Sequence, residues 1–167
     1  MGEALNSLVL DTMLGKVRVE WQNGDLAFIR LDALERKEGT SYARVTAGCA
    51  PNNEGEITVQ NLVQYFSGKR MSIGAHLRMT DYTPFQQAVW EETQKIPYGE
   101  TRTYGGIAEA IGGPGSARAT GAALGKNPWP VVIPCHRVVG ANGDLTGFVF
   151  GTGWKSALLN LEAQGLW

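Results

Sequence analysis

The N-terminal part of the chain alternates short apolar segments with polar positions, a pattern that predicts strands. The sequence "QNGD" at 22–25 places Asn-Gly between two such segments, which is typical of a tight hairpin turn. We therefore expect residues 7–31 to form an antiparallel meander. Residues 39–56 are rich in glycine, asparagine and proline, and this composition predicts a loop.

The next apolar residues recur at helical spacing and place four side chains on one face: Val59, Leu62, Val63 and Phe66. Gly68 follows and is expected to end this helix. In "MSIGAHLRM", residues 71–79, every second residue is apolar, which predicts a further strand. Residues 1–80 are thus predicted to form a small α+β domain.

Helical patterns dominate residues 81–167, for which we predict a second, mostly helical domain. Thr83 is placed to cap a helix that begins at Pro84 and has a face of four residues: Phe85, Ala88, Val89 and Ile96. Two shorter helices follow, joined by "GGPGS" at 112–116. The first has four apolar positions on one face: Tyr104, Ile107, Ala108 and Ile111. The second has Ser116 as its N-cap and ends at Gly125, so that the pair is typical of a helix-turn-helix.

The second helix of this pair consists mainly of alanine, glycine and threonine, and Arg118 is its one long polar side chain. Such a helix has little with which to read base edges in a wide major groove, but it would fit a narrow minor groove. Considered alone, the pattern favours the alternative, a packed Ala/Gly helix with a surface arginine.

The composition is that of a globular protein, with 167 residues, 43% apolar and 19% charged. The net charge of −1 does not indicate nucleic-acid binding, although residues 95–137 hold five basic side chains and two acidic ones. No apolar run is long enough for a membrane span, and no signal-peptide pattern precedes the first strand. The two cysteines lie far apart and the chain has only two histidines, so we expect a reducing cytoplasm and no metal.

The strongest chemical signal is a cysteine, a histidine and an arginine side by side in "NPWPVVIPCHRVVG", residues 127–140. A cysteine attacks as its thiolate, which His136 could generate as a base, with Glu162 on a C-terminal helix fixing the imidazole. Asn127 can pin the loop backbone, and the prolines stiffen the approach to an extended strand that carries Cys135. The alternatives are a packed core cysteine and a surface glutamate. If Cys135 is a nucleophile, hydrolase and transferase chemistry both remain open.

Three segments together resemble the O6-alkylguanine-DNA alkyltransferase family, also called methylated-DNA–protein-cysteine methyltransferases: "SARATG", "NPWPVVI" and "PCHRV". The similarity is dense over residues 83–165 and includes the terminal "LLNLE". It implies a ribonuclease-H-like N-terminal domain and a helix-turn-helix that binds duplex DNA in the minor groove. Such proteins repair DNA by flipping out O6-alkylguanine, chiefly O6-methylguanine, and moving its alkyl group onto a cysteine.

The resemblance also implies roles for individual residues. Cys135 would accept the alkyl group, His136 oriented by Glu162 would act as base through a water, and Asn127 would be a hinge. Arg118 would enter the base stack, and Tyr104 would assist flipping and donate to the leaving guanine. The implied substrate-binding residues are Tyr104, Leu124, Pro130, Val138, Phe148 and Val149. The implied DNA-binding residues are Thr103, Tyr104, Ser116, Ala117, Arg118, Ala119 and Gly121.

The implied reaction is a single-turnover enzymatic transfer, because the thioether product offers no activated carbonyl for hydrolysis. We expect no cofactor, no metal and no membrane partner, and a monomeric cytoplasmic protein that is nucleoid-associated if its source is prokaryotic. The chain departs from the family at Phe148, where tyrosine is common, and at Phe150, where small residues are usual. We expect Phe150 to narrow the pocket against bulky O6 groups. The alternative functions are a lesion-binding module with an inert Cys135 and a thiol hydrolase.

Overall fold

The computed structural model describes residues 5–39, 42–113 and 116–164. The chain divides into two compact units. One contains the residues up to Arg78 together with those from Leu161 onward, and the other is Met79–Asn160.

The first unit is built on an antiparallel sheet with the strand order β3-β2-β1-β4. Its strands are β1 (Leu5–Thr12), β2 (Gly15–Gln22), β3 (Asp25–Leu31) and β4 (Ala43–Gly48). The first three form the predicted meander. The turn between β2 and β3 has φ of 53° at Asn23 and 91° at Gly24, the left-handed conformation that Asn-Gly turns adopt.

Two predictions in this unit are wrong. The predicted loop 39–56 contains β4, whose residues are mostly exposed at the sheet edge, and the start of helix α1 (Asn53–Phe66). An exposed edge strand carries no apolar alternation, which is why its sequence resembles a loop. The predicted strand 71–79 is irregular, with an isolated bridge between Leu77 and Leu26 as its ladder contact. Of its alternating residues only Ile73 is buried.

Helix α1 packs its apolar residues into the core of this unit. Asn52 caps the helix by accepting a hydrogen bond from the Gly55 amide, an N-terminal signal that the sequence interpretation missed. The predicted face is buried at Val59, Leu62 and Phe66, and the helix also buries Tyr65. Gly68 follows with φ of 85°, in keeping with the predicted helix end.

In the described part of the second unit, three helices and a pair of two-residue strands precede the last helix. The helices are α2 (Pro84–Gln94), α3 (Tyr104–Ala110) and α4 (Ala117–Gly125), and the strands are β5 (Arg102–Thr103) and β6 (Val138–Val139). Thr83 and Pro84 begin α2 as predicted, through a capping box with Gln86. Phe85 was predicted on the buried face but is 38% exposed, and Trp90 is buried in the core instead.

Trp90 also links two helices, because its indole Nε1 donates to the Ala123 carbonyl of α4 at 3.0 Å. Helix α4 ends at Gly125 as predicted, and Ser116 is at its N-cap position without a side-chain cap hydrogen bond. Residues 114–115 of the predicted turn between α3 and α4 lie outside the described residues. The last helix, α5, is Thr152–Gln164. Among the helices described, none is both long enough and apolar enough to cross a membrane.

Candidate active site

The segment 127–139 is a buried turn. Every one of its residues is buried, and the predicted extended strand at Cys135 is wrong: Cys135–Arg137 form a short 3-10 turn. The chain before it bends so sharply that Val131 has φ of 75°, in a region rarely adopted by β-branched residues. The three prolines exclude a regular ladder because they lack an amide donor. The β-branched run 131–133 therefore forms the wall of a turn.

Asn127 holds this turn together through three hydrogen bonds. Its side-chain Nδ2 donates to the Ile133 carbonyl at 3.1 Å and to Sγ of Cys135 at 3.3 Å. Its Oδ1 accepts from the Trp129 amide at 2.9 Å. Asn127 itself is only 7% exposed, so these bonds form away from water. The Asn127 side chain, which was predicted to pin the loop, therefore also contacts the predicted nucleophile directly.

The environment of Cys135 opposes its ionisation. Burial raises the pKa of the Cys135 thiol, because a thiolate loses its hydration inside the protein. The hydrogen bond from Asn127 and the positive charge of Lys155 lower that pKa, but the net shift is upward. The resting group is therefore a thiol, and a base must remove its proton before it can attack.

His136 and Arg137 complete the turn. His136 is completely buried and follows Cys135 directly in the chain. Arg137, 4% exposed, donates from Nη1 to the Ile96 carbonyl at 2.8 Å and lies over the Tyr98 ring at 5.7 Å. An arginine next to a histidine resembles a surface charge in sequence, so its role in fixing the turn was missed.

Glu162 is buried in the last turns of α5, with 3% of its surface exposed. The alternative of a surface glutamate is therefore wrong. In the first unit, its Oε1 accepts a hydrogen bond from the Tyr65 hydroxyl at 2.7 Å. From the sequence, Tyr65 was assigned to no site, because a tyrosine on the apolar face of a helix resembles a core residue. The pairing of Glu162 with His136 stays a prediction.

A parallel strand pair places Tyr104 beside the cysteine turn. Strand β5 pairs with β6, with Arg102 opposite Val138, and helix α3 begins directly after β5. Tyr104 is the first residue of that helix, and its hydroxyl donates to the Thr146 carbonyl at 2.8 Å. Burial raises the pKa of Tyr104, and the negative charge of an ionised Cys135 raises it further. Tyr104 is thus a neutral hydroxyl donor close to the thiol.

Lys155 on α5 is a component of the site that the sequence interpretation missed. Its side chain is fully buried, and Nζ donates to the Thr146 carbonyl at 2.8 Å and to the Tyr104 hydroxyl at 3.2 Å. A periodicity signal was available, because Lys155 lies three residues before the buried Leu158 and seven before Glu162. Fully buried lysines are rare, so this spacing alone does not predict a buried side chain at position 155.

A cavity of about 430 Å³ opens beside Tyr104. It is lined by Thr103, Tyr104, Gly105, Ala117, Gly121, Ala141, Thr146 and Gly147. Four of these belong to the predicted DNA-binding set. The small side chains at Ala117 and Gly121 leave this space open, and a Cβ at Gly121 would approach the Tyr104 ring at 3.7 Å. The cavity is large enough for a planar base.

The remaining predicted residues differ in exposure. Leu124, Pro130 and Val138 are buried, Ser116 is partly buried, and the recognition candidates Arg118 and Ala119 on α4 are exposed. Exposure leaves the Arg118 guanidinium accessible to a partner.

Phe148 and Phe150 are partly buried and pack edge to face, with ring centroids 5.9 Å apart, and Val149 between them is 62% exposed. Neither phenylalanine lines the 430 Å³ cavity. Across the described ranges, no group of three metal-binding side chains comes together, and Cys49 and Cys135 are both free.

Comparison with protein families gives a match over residues 84–164 to the DNA-binding domain of 6-O-methylguanine DNA methyltransferase. Curated relatives are named methylated-DNA–protein-cysteine methyltransferase. A Shigella flexneri protein is 42% identical over 86% of this chain and 81% of its own length. A Salmonella typhimurium protein is 40% identical over 93% and 87%, respectively. A Mycobacterium bovis protein is 51% identical, but the match spans 62% of each chain, less than two thirds of the relative.

Solved structures give the same result. The Mycobacterium tuberculosis O6-methylguanine methyltransferase superposes with a TM-score of 0.74 at 35% identity, covering 98% of this chain and 95% of that one. The M. tuberculosis OGT in complex with DNA has a TM-score of 0.71 at 39% identity, covering 93% and 91%. A Pyrococcus kodakaraensis O6-methylguanine-DNA methyltransferase, at 23% identity and a TM-score of 0.54, shares the fold.

Proposed function

Because this chain belongs to the methylated-DNA–protein-cysteine methyltransferase family, we propose that it repairs O6-alkylguanine in duplex DNA by transferring the alkyl group to its own Cys135. One observation carries this proposal. The Cys135 thiol is hydrogen-bonded to Asn127 inside a buried turn, and the strand pair β5–β6 brings Tyr104 beside that turn. A nucleophile and a hydroxyl donor thus lie on the same small framework.

The reaction begins when the Cys135 thiol loses its proton to His136, through a water. The thiolate sulfur then attacks the alkyl carbon, and the bond from that carbon to O6 breaks with its electron pair remaining on the guanine. Tyr104 donates to the guanine ring as negative charge develops there, and so stabilises the leaving group. Glu162 orients the imidazole. The thioether that forms has no activated carbonyl, and each molecule therefore reacts once without a cofactor.

Delivery of the base uses α3 and α4 as a helix-turn-helix in the minor groove. The slim helix α4 approaches the backbone closely, and the exposed Arg118 fills the gap left by the flipped guanine. Thr103, Ser116, Ala117, Ala119 and Gly121 would contact the DNA. The base would occupy a pocket of Tyr104, Leu124, Pro130, Val138, Phe148 and Val149. The sheet unit would have a ribonuclease-H-like topology, and the protein would act as a cytoplasmic monomer.

The decisive test is the fate of a labelled methyl group. The protein is incubated with duplex DNA carrying labelled O6-methylguanine, and the label is mapped by mass, with Cys135→Ala as the control. We expect about one methyl per protein molecule on Cys135 and none on the variant. Tight binding without label would instead support a lesion-binding module. Absence of both binding and label would leave thiol hydrolysis as the remaining candidate function.

A second measurement tests delivery through Arg118. Arg118→Ala is expected to slow methyl transfer from duplex DNA by roughly tenfold or more, since the inserted side chain offsets the lost stacking. Transfer from the free modified base should keep its rate, because no flipping is needed. Lys69→Ala removes an exposed cation from the other unit and provides the matched control. Equal losses on both substrates would refute the proposed insertion.

A further inference from the structure

Lys155 is a buried cation that has no part in the proposed proton and alkyl transfers. Its side chain is completely buried on α5, although a lysine is rarely found without water around its ammonium group. Burial lowers the pKa of Lys155, whereas an ionised Cys135 raises it. Burying an ammonium group costs free energy unless it is hydrogen-bonded or lies near an opposite charge.

The contacts of Nζ show where its charge acts. It donates to the Thr146 carbonyl at 2.8 Å and to the Tyr104 hydroxyl at 3.2 Å, and it lies 5.4 Å from the centre of the Tyr104 ring. The Tyr104 hydroxyl donates to the same Thr146 carbonyl at 2.8 Å. Lys155, Tyr104 and the Thr146 carbonyl therefore form a closed triangle in which the phenol oxygen accepts one hydrogen bond and donates another.

The geometry points to Lys155 as a positioning residue whose fixed positive charge stabilises the Cys135 thiolate and holds the Tyr104 hydroxyl ready for the leaving base. This inference rests on the proposed alkyl transfer. The ammonium charge favours the ionised thiol, because opposite charges attract strongly in a poorly hydrated site. Formation of the thiolate in turn favours the charged form of Lys155, and the two groups stabilise each other.

Among the described residues, Lys155 is a cation whose charge acts on Cys135, and the neighbouring ionisable groups have other contacts or roles. His136 lies beside Cys135 in the turn and serves as the base. The Arg137 guanidinium is bound to the Ile96 carbonyl and the Tyr98 ring. Asp144, on the loop that carries Thr146, is exposed.

The test separates the charge of Lys155 from its hydrogen bonds. The rate of label transfer from free O6-benzylguanine to Cys135 is measured between about pH 7 and 11, which includes the raised pKa of a buried thiol, for the wild type, Lys155→Gln, Lys155→Arg and the surface control Lys69→Gln. Glutamine keeps a donor for Thr146 without the charge, and arginine keeps the charge. We expect Lys155→Gln to move the midpoint of the pH–rate profile upward by about one unit, which slows transfer roughly tenfold below it. Lys155→Arg should restore the midpoint, and Lys69→Gln should leave it unchanged.

An unchanged midpoint in a folded Lys155→Gln protein would overturn the inference, because Lys155 would then be neutral at the working pH. The free base is used because its transfer needs no DNA binding, so a general loss of delivery cannot imitate the shift. If Lys155→Gln does not fold, Lys155→Met carries the same comparison, and its thermal unfolding is checked alongside. Failure of the wild type to label Cys135 both from free O6-benzylguanine and from duplex O6-methylguanine, at every pH, would refute the alkyl transfer itself rather than the role of Lys155.

Discussion

The two stretches on either side of the boundary at Val139 differ sharply in burial. Every residue of 127–139 is buried, whereas none of residues 140–151 is. The first stretch holds the nucleophile on a rigid wall. The second passes the Tyr104 hydroxyl, which donates a hydrogen bond to the Thr146 carbonyl. It turns at Gly147 and Gly151, where φ is 62° and 89°.

This contrast suggests a division of labour within one site. The buried turn must place the thiol within a few tenths of an ångström, and Asn127 and Arg137 in it are each held by more than one contact. The exposed loop can change its side chains without loss of the core. The resemblance seen in the sequence implies departures at Phe148 and Phe150, which lie in this loop, and implies a match at "PCHRV", which lies in the turn. Chemistry is therefore expected to depend on the turn, and substrate range on the loop.

The largest predicted effect comes from loosening the turn. Asn127→Ala removes three hydrogen bonds and leaves a buried amide and carbonyl without these partners, which should cost about 2–3 kcal/mol of unfolding free energy. Methyl transfer should slow by about a hundredfold, since a small displacement of the nucleophile has a large effect on rate. Denaturant unfolding and the label-transfer assay measure the two effects.

The matched control is Asn160→Ala, which removes an exposed asparagine from α5. It should change the unfolding free energy by less than about 0.5 kcal/mol and leave transfer intact. If Asn127→Ala slowed transfer no more than this control, the turn would not depend on its central side chain, and the comparison between turn and loop would fail.

A second, smaller effect is a dependence of stability on pH. Burial raises the pKa of Cys135 above that of an unfolded thiol, so the folded state retains a proton that the unfolded state releases. The stabilisation is present below about pH 8.5, the unfolded value, and is lost as pH rises toward the folded pKa. The wild type should therefore lose more unfolding free energy between about pH 8 and 10 than Cys135→Ala.

Cys49→Ala is the control for this measurement, because it removes an exposed cysteine and leaves the buried one. Its stability should follow the wild-type curve over the whole pH range. Parallel curves for the wild type and Cys135→Ala would mean that Cys135 titrates alike in the folded and unfolded states, and the turn would not be as closed to water as its burial indicates.

The sequence revealed the parts of this molecule whose signals are local. The Asn-Gly turn and the start of α2 at Thr83–Pro84 follow from side chains that act within a few residues, and both were predicted correctly. The regions that failed depend on tertiary contacts. An edge strand within 39–56 has no buried face to reveal it, and the β-branched run before Cys135 is turned by packing that propensity does not encode.

The site shows the same limit. Cys135, His136 and Asn127 were predicted from chemistry-bearing residues close together in sequence, and the contact of Asn127 with Sγ is now visible. Lys155 and Tyr65 were missed because their roles come from partners in distant segments, Tyr104 and Glu162. A buried lysine and a core tyrosine have no motif, and only the three-dimensional contacts identify them.

The smallest predicted effect belongs to the exposed loop. Phe150 packs edge to face on Phe148, so its ring is held in one place rather than free in solvent. Because Phe150 is expected to narrow the pocket, Phe150→Gly should speed benzyl transfer from O6-benzylguanine by a few-fold, on the order of 1 kcal/mol or less. It should leave methyl transfer unchanged.

The control is Phe148→Leu, which breaks the aromatic pair but keeps the bulk at Phe150. It should show no increase in the rate of benzyl transfer. Second-order rates for O6-methylguanine and O6-benzylguanine decide the matter. Benzyl transfer that already equals methyl transfer in the wild type, with no gain in Phe150→Gly, would show that the loop does not set the substrate range and that both properties reside in the turn.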